Sequence, residues 1–208
     1  HPEKKAFDQI VEFASRRKLY LFSDEMYRFA EYNDDQRLPS VCDLFGQGIT
    51  LCGLSKAFAL PGLRIGWLAT KEKHLLHEFN AFKDYTTICS SAPSEVLAII
   101  ALRARERIID RTRAIIGENL MTADAFFAKH HQLFEWIRPI ASPVAFPRYR
   151  SPQRIEEFCQ RLVESAGVML VPGSIFEYPG NHFRIGLGRK NFKDAIEVVG
   201  GFLAERKM

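Results

Sequence analysis

Two apolar segments of the chain are joined by the sequence Gly53-Leu54-Ser55-Lys56-Ala57-Phe58-Ala59-Leu60-Pro61-Gly62-Leu63-Arg64-Ile65-Gly66-Trp67. A lysine in a loop of small and apolar residues is unusual, because lysines mostly lie on solvated surfaces. Arg64 opens the segment after the loop, and its planar guanidinium is suited to binding a phosphate group. Gly62 and Gly66 allow the backbone to approach a bound molecule closely. The stretch therefore predicts a ligand-binding loop that contains Lys56 and Arg64.

Short apolar runs on both sides of this loop predict strands that are buried on both faces. The predicted strands cover residues 19–22, 48–52 and 63–69, and predicted helices cover residues 4–16 and 71–85. Because strands alternate with helices, we expect an α/β architecture.

The rest of the chain continues the alternation after a long helical stretch. From residue 93, helical periodicity extends almost to residue 130, and it is broken or weakened near residues 103–109 and at Gly117. Predicted strands at 134–138, 143–148, 168–171 and 183–188 then alternate with predicted helices at 152–165 and 191–205. A boundary within the long helical stretch, near residues 95–110, would divide the chain into two domains, residues 1–100 and 101–208.

The composition is that of a globular protein, with 47% of the 208 residues hydrophobic and 26% charged. The net charge of +4 is small and the basic residues are dispersed, so the charge says little about partners. No recognition motif or strong basic patch is visible, and we expect neither nucleic acid nor a membrane as a partner. No signal peptide or bilayer-spanning apolar run is visible. The cysteines are far apart and form no CxxC pair, which predicts buried free thiols in a reducing, cytoplasmic compartment. They are Cys42, Cys52, Cys89 and Cys159.

Two other patterns have ordinary explanations. His74 and His77 have a metal-like spacing but no third ligand, so a solvated helix face is favoured and no metal is expected. The arginine-rich run at residues 103–113 is interspersed with Glu106 and Asp110. It is typical of an exposed helix face with ion pairs rather than of a nucleic-acid interface.

The sequence around Lys56 resembles the cofactor-lysine signature S-K-x-x-x-x-x-G-x-R-x-G of class I/II, fold-type I, pyridoxal-phosphate-dependent aminotransferases. Ser23-Asp24-Glu25-Met26-Tyr27 resembles the D-E-x-Y segment of that family. Gly167-Val168-Met169-Leu170-Val171-Pro172-Gly173-Ser174-Ile175-Phe176 resembles its G-V-x-V-x-P-G-x-x-F segment. Phe183-Arg184-Ile185-Gly186-Leu187-Gly188 resembles the strand that carries its substrate-carboxylate arginine. The similarity covers essentially the whole chain.

The resemblance implies that residues 1–100 form the C-terminal part of a large cofactor-binding domain with a mostly parallel sheet. A small α/β domain, residues 101–208, would follow it. The chain is therefore expected to be the C-terminal half of such an enzyme. It also departs from the family pattern in one position, because Gly53 stands where a second phosphate-binding hydroxyl is often found.

The resemblance also implies roles for three residues around the cofactor, pyridoxal 5′-phosphate. Lys56 would form a Schiff base with the cofactor aldehyde, and its freed amine would then move a proton from the substrate. Asp24 would pair with the pyridine nitrogen and keep it protonated. Tyr27 would donate a hydrogen bond to the phenolic oxygen of the ring.

Three further roles concern anionic groups. The resemblance implies that Ser55 and Arg64 hold the cofactor phosphate. Arg184 would bind the α-carboxylate of the substrate with both arms of its guanidinium and so orient the Cα–H bond.

Taken singly, these residues have structural explanations. On these explanations, Lys56 would be an ordinary surface lysine, Asp24 would cap a helix and Tyr27 would pack in a core. Ser55 would be a turn residue, and Arg184 would pair with a structural carboxylate. Their joint occurrence at these spacings favours the cofactor site.

The resemblance implies that the complete enzyme moves an amino group between an amino acid and a 2-oxo acid, as a homodimer. An alternative is a lyase, cyclase or decarboxylase that uses the same lysine, because substrate orientation decides which bond to Cα breaks. Another alternative is a non-catalytic, truncated or regulatory module.

Overall fold

The computed structural model describes residues 2–205. Contacts divide the chain into two units, His1–Thr112 and Arg113–Met208. Each unit combines helices and strands, so the predicted α/β class is confirmed.

The first unit contains a three-stranded sheet with helices before and after it. The strands are β1 (Leu21–Asp24), β2 (Gly48–Gly53) and β3 (Gly66–Thr70). The helices are α1 (Lys4–Arg16), α2 (Val41–Leu44), α3 (Lys73–Thr86) and α4 (Ala92–Arg103), and α5 (Arg105–Lys129) crosses the division between the units. The break predicted near residues 103–109 lies at Ala104, which separates α4 from α5, whereas α5 continues without interruption through Gly117.

The sheet of the first unit has the order β1-β2-β3. β1 and β2 are parallel, and β2 and β3 are antiparallel. Almost all of β2 is buried, which is the pattern expected for a central strand covered on both faces. Gly48 begins this strand, and a side chain there would lie only 2.3 Å from the carbonyl oxygen of Val41.

The core of the first unit lies directly beneath the Lys56 loop. Leu54, Ala57 and Phe58 are buried in it. They pack with Ala30, Ala98 and Ile109, which come from distant parts of the chain. The loop is therefore an integral part of the core rather than a mobile surface connection.

The second unit has short antiparallel strands and two helices. The strands are β4 (Phe134–Glu135), β5 (Val144–Ala145), β6 (Arg148–Tyr149), β7 (Val171–Pro172) and β8 (Phe183–Gly186), and the helices are α6 (Ile155–Ala166) and α7 (Phe192–Glu205). β8 is the central strand of the sheet β5-β8-β7, and β4 pairs with β6. These strands are shorter than predicted.

An aromatic core holds the second unit together. The ring of Phe134 lies 5.7 Å from that of Phe183 and 6.1 Å from that of Phe158. All three side chains are buried. Phe127 also contacts Phe134 and stacks on Trp136 at 4.5 Å, as expected for core aromatic residues. Because β8 contributes Phe183 to this core, the strand that carries Arg184 is anchored on its inner face.

Helix α4 leaves much of its apolar surface uncovered within the first unit. It buries only Ala98 and Ala101. Its larger apolar side chains are at least 40% exposed: Val96, Leu97, Ile99, Ile100 and Leu102. An apolar surface of this kind is typical of a region that packs against further protein.

Among residues 2–205, no helix is both long and apolar enough to cross a membrane. The same residues contain no cluster of three or more side chains that could hold a metal ion. His74 and His77 are both exposed, and the His74 ring lies 4.0 Å from Glu78.

The four cysteines are free, but they are not all buried. Cys52 and Cys159 are buried and Cys42 is half-buried, whereas Cys89 is exposed. The prediction of a buried thiol is therefore wrong for Cys89, because the segment between α3 and α4 lies on the surface of the unit. Burial raises the pKa of the Cys52 thiol, and it raises that of Cys159 to about 11.

We predict that iodoacetamide at pH 8 alkylates Cys89 in the folded chain and leaves Cys159 unmodified. The thiolate is the reactive form, and burial disfavours it at Cys159. Peptide mass mapping after timed labelling measures both sites, and labelling in urea is the control in which both react. Equal labelling rates in the folded chain would contradict the burial of Cys159.

Candidate active site

The parallel pairing of β1 with β2 places the ends of both strands at one edge of the sheet. Asp24 is the last residue of β1, and its Cα pairs with that of Leu51. β2 ends at Gly53, and Lys56 follows in the next turn. Residues at the carboxyl ends of neighbouring parallel strands are typical of ligand sites in α/β proteins.

Lys56 and Tyr27 are brought together at this edge. The Nζ atom of Lys56 lies 5.3 Å from the centroid of the Tyr27 ring. Both side chains are exposed. Across the part of the chain that the structure describes, Lys56 forms no hydrogen bond or ion pair through its amine. The amine is therefore available to a ligand.

The backbone of the Lys56 loop is held by hydrogen bonds at both ends. Leu54 donates to the carbonyl of Ile65 at 3.1 Å, and Leu60 donates to that of Leu54 at 3.0 Å. Ala59 donates to the carbonyl of Lys56 at 2.9 Å and has a left-handed φ of 54°. The buried neighbours of Lys56 point inward, so its own side chain is directed to the surface.

Arg64 follows the short helix at Pro61–Leu63, in the left-handed conformation. Its Nη1 donates to the carbonyl of Pro61 at 2.8 Å. The side chain is exposed, and the other donors of the guanidinium stay available. Ser55 is half-buried beside Lys56. No contact within residues 2–205 joins the Ser55 hydroxyl to Arg64.

Gly53 is explained by a close approach of two strands. Its Cα pairs with that of Gly66 across β2 and β3. A Cβ at Gly53 would lie 3.0 Å from both the Cα of Gly66 and the carbonyl oxygen of Ile65. A hydroxyl side chain at this position would therefore require the backbone to move, and the departure from the family pattern has a steric cause.

Asp24 ends β1 and is followed by a turn rather than by a helix. Its Oδ1 accepts a hydrogen bond from the backbone N–H of Met26 at 3.0 Å. The carboxylate is exposed, and it forms no ion pair with a described residue. The helix-cap explanation is thus replaced by a turn in which one carboxylate oxygen is free for another partner.

Glu25 is a structural residue that the sequence analysis did not single out. One carboxylate oxygen, Oε1, accepts hydrogen bonds from Ser40 Oγ at 3.1 Å, the Val41 N–H at 3.0 Å and Thr50 Oγ1 at 3.1 Å. The other oxygen lies 3.3 Å from Arg28. Glu25 therefore connects the turn after β1 to β2 and to the start of α2. The only sequence signal was its place beside Asp24.

Phe29 joins this turn to the Lys56 loop. Its ring makes an edge contact with that of Phe58 at 6.2 Å. The backbone of Phe29 has a left-handed φ of 74°, which is uncommon for a bulky residue. The Cζ atom of Arg37 lies over the Phe29 ring, 4.8 Å from its centroid. The turn and the loop are thus held to one another through a pair of aromatic side chains.

Arg184 belongs to the second unit. Along β8, Phe183 and Ile185 are buried and Arg184 is exposed, so the strand presents the arginine on its outer face. The Cζ of Arg184 lies 5.1 Å from the ring centroid of Phe176. Among the described residues, no carboxylate forms an ion pair with Arg184, and the structural-carboxylate explanation is not supported.

We predict that Glu25→Ala lowers the free energy of unfolding by about 2–3 kcal/mol, because it leaves buried donors without their charged acceptor. Glu12→Ala is the matched control, since the Glu12 side chain is 64% exposed and its surface ion pair contributes little. Urea denaturation measures both variants. A Glu25→Ala variant as stable as Glu12→Ala would contradict the structural role of this carboxylate.

A lysine loop and an acidic turn at one edge of an α/β sheet are the arrangement that the resemblance to pyridoxal-phosphate-dependent aminotransferases implies. The family model described as aminotransferase class I and II matches residues 1–198, and the chain belongs to that family. The predicted family and its cofactor are confirmed at this level.

Individual relatives agree with this assignment. The chain is 26% identical to aromatic-amino-acid aminotransferase 2 of Thermococcus litoralis, over 99% of this chain and 54% of that protein. A solved pyridoxal-phosphate-dependent aminotransferase from Streptococcus suis is 30% identical with a TM-score of 0.88, over 98% of this chain and 54% of the other. The pyridoxal-phosphate-dependent cyclase OrfR is 29% identical with a TM-score of 0.86, over 97% and 55%. The chain thus spans about half the length of the relatives it matches.

Proposed function

We propose that the whole enzyme is a pyridoxal-phosphate-dependent aminotransferase that moves an amino group between an amino acid and a 2-oxo acid. The observation that carries this proposal is the position of the Lys56 amine. It is unpaired among the described residues and lies 5.3 Å from the Tyr27 ring, at the sheet edge where β1 ends in Asp24. Family membership supports the same reaction.

The residues of the first unit fit the proposed cofactor by their chemistry. An amine, a carboxylate and a phenol are needed for the aldehyde, the ring nitrogen and the ring oxygen. Lys56 supplies the amine, Asp24 the carboxylate and Tyr27 the phenol, all at one edge of the sheet. None of the three forms a hydrogen bond or an ion pair with another described side chain. The Arg64 guanidinium and the Ser55 hydroxyl are suited to the phosphate.

Pyridoxal phosphate, when bound, supplies an electron sink for the bond that breaks at the substrate Cα. Lys56 would attach the cofactor, and its freed Nζ would then move a proton from the substrate Cα to the cofactor carbon C4′. Asp24 holds a proton on the ring nitrogen through its carboxylate. Tyr27 would donate a hydrogen bond from its hydroxyl to the ring oxygen.

The remaining residues bind and orient. Arg64 and Ser55 hold the phosphate, and the hydrogen bond from Arg64 to Pro61 restrains the guanidinium. Arg184 binds the substrate α-carboxylate, which orients the Cα–H bond for proton removal. Its exposed place on β8 supports this role.

We predict a single covalent adduct on Lys56 when the full-length protein is incubated with pyridoxal phosphate and then treated with borohydride. Intact mass and peptide mapping measure it. Lys56→Ala should lose the adduct and the transaminase activity, because no other amine lies in the loop. Lys73→Ala is the control, since Lys73 is an exposed lysine at the start of α3. A full-length protein without a Lys56 adduct would overturn the proposal.

We predict that Arg184→Lys raises KM for the amino acid by about 10- to 100-fold, because a lysine cannot reproduce the two parallel hydrogen bonds to a carboxylate. Steady-state kinetics with a panel of amino donors measures this. Arg161→Lys is the control, since Arg161 is an exposed arginine on α6. An unchanged KM in Arg184→Lys would remove the carboxylate role from Arg184.

A second candidate is an internal cyclisation that uses the same lysine. The likeness to the cyclase OrfR favours it. The two reactions differ in their second substrate, because a transaminase requires a 2-oxo acid acceptor for turnover and a cyclase does not. Product formation from an amino acid without any 2-oxo acid would favour the cyclase.

We also propose that the whole enzyme is a homodimer. The exposure of Tyr85 at the end of α3, at 90%, and the uncovered apolar side chains of α4 support further protein contacts. A cytoplasmic location stays a prediction from the sequence.

A further inference from the structure

The guanidinium of Arg184 lies over an aromatic ring that has no role in the proposed mechanism. The distance of 5.1 Å from Arg184 Cζ to the Phe176 ring centroid is within the range of a cation–π interaction. Phe176 is 47% exposed. Burial in a core therefore does not account for this side chain, and its contact with Arg184 is the distinctive feature of its surroundings.

The Phe176 ring also contacts Phe146, which belongs to an aromatic cluster with Tyr178 and His182. Phe146 makes an edge contact with Phe176 at 6.4 Å. Phe146 in turn stacks on His182 at 5.3 Å and makes an edge contact with Tyr178 at 5.2 Å. Phe176 thus has a defined position although much of its surface is accessible.

The backbone also couples Phe176 to the strand of Arg184. Phe176 ends the short helix Gly173–Phe176, which directly follows β7. β7 pairs with β8, and the Cα of Val171 pairs with that of Arg184. The N–H of Gly173 donates to the carbonyl of His182 at 2.7 Å. A side chain at Gly173 would lie 3.0 Å from that carbonyl oxygen, so glycine permits the close approach.

We propose that Phe176 is a positioning residue that holds the Arg184 guanidinium ready for the substrate carboxylate. This inference rests on the proposed function, in which Arg184 binds that carboxylate. An exposed arginine loses rotamer freedom when it binds a ligand. The Phe176 ring restricts that freedom before binding, so less is lost when the carboxylate arrives. The aromatic cluster keeps the ring itself in place.

The test compares Phe176→Leu with Phe176→Tyr in the full-length holoenzyme. Leucine keeps an apolar side chain but removes the ring, and tyrosine keeps the ring. We expect KM for the amino donor to rise about two- to fivefold in Phe176→Leu with the change confined to KM, and Phe176→Tyr to restore the original KM. A fall in kcat and in melting temperature together, without rescue by tyrosine, would mean a structural role and would overturn the inference.

A double-mutant cycle with Arg184→Met separates this inference from the proposed function. The readout is the dissociation constant of 3-phenylpropionate and of 4-methylpentanoate, which carry a carboxylate but no amine. We expect Phe176→Leu to weaken binding in the normal background and to have no further effect in the Arg184→Met background. Additive effects would overturn the inference and leave the role of Arg184 intact. Unchanged binding in Arg184→Met alone would overturn the proposed carboxylate site, and the inference with it.

Discussion

The parallel pairing of β1 with β2 is the interaction on which the candidate site depends. It brings the turn after Asp24 and the loop of Lys56 to one edge of the sheet. The pairing continues beyond β1, because the N–H of Glu25 donates to the carbonyl of Leu51 at 2.8 Å. The Glu25 carboxylate then ties the same turn to Thr50 of β2. These contacts place Tyr27, in the turn after β1, close to Lys56, in the loop after β2.

Polar side chains of the first unit fall into two groups with different surroundings. Glu25 is half-buried, with its side chain 11% exposed, and it accepts several hydrogen bonds from buried groups. Lys56 and Asp24 are exposed, and within the described chain neither forms an ion pair with another side chain. Arg184 of the second unit is also unpaired with any described carboxylate. The first kind of residue maintains the fold, and the second kind is available to ligands.

Local patterns predicted much of the fold and failed where contacts are distant in sequence. The alternation of strands and helices was confirmed, since periodicity is a local property. Sequence periodicity could not place Cys89 on the surface, because apolar neighbours along the chain need not cover a thiol in space. It also could not explain Gly53, whose constraint comes from Gly66 on the neighbouring strand. The network around Glu25 was likewise invisible, since Ser40 and Thr50 are far from it along the chain.

The sequence by itself determined the family, the α/β class and the identity of the candidate residues, because the spacing of Ser55, Lys56 and Arg64 is a local and highly specific pattern. Only the tertiary structure decided which of those residues meet and what surrounds them. The contact between Lys56 and Tyr27 and the ring of Phe176 beside Arg184 both arise from chain segments brought together by strand pairing and core packing. Such contacts depend on the three-dimensional path of the backbone, which no short motif encodes.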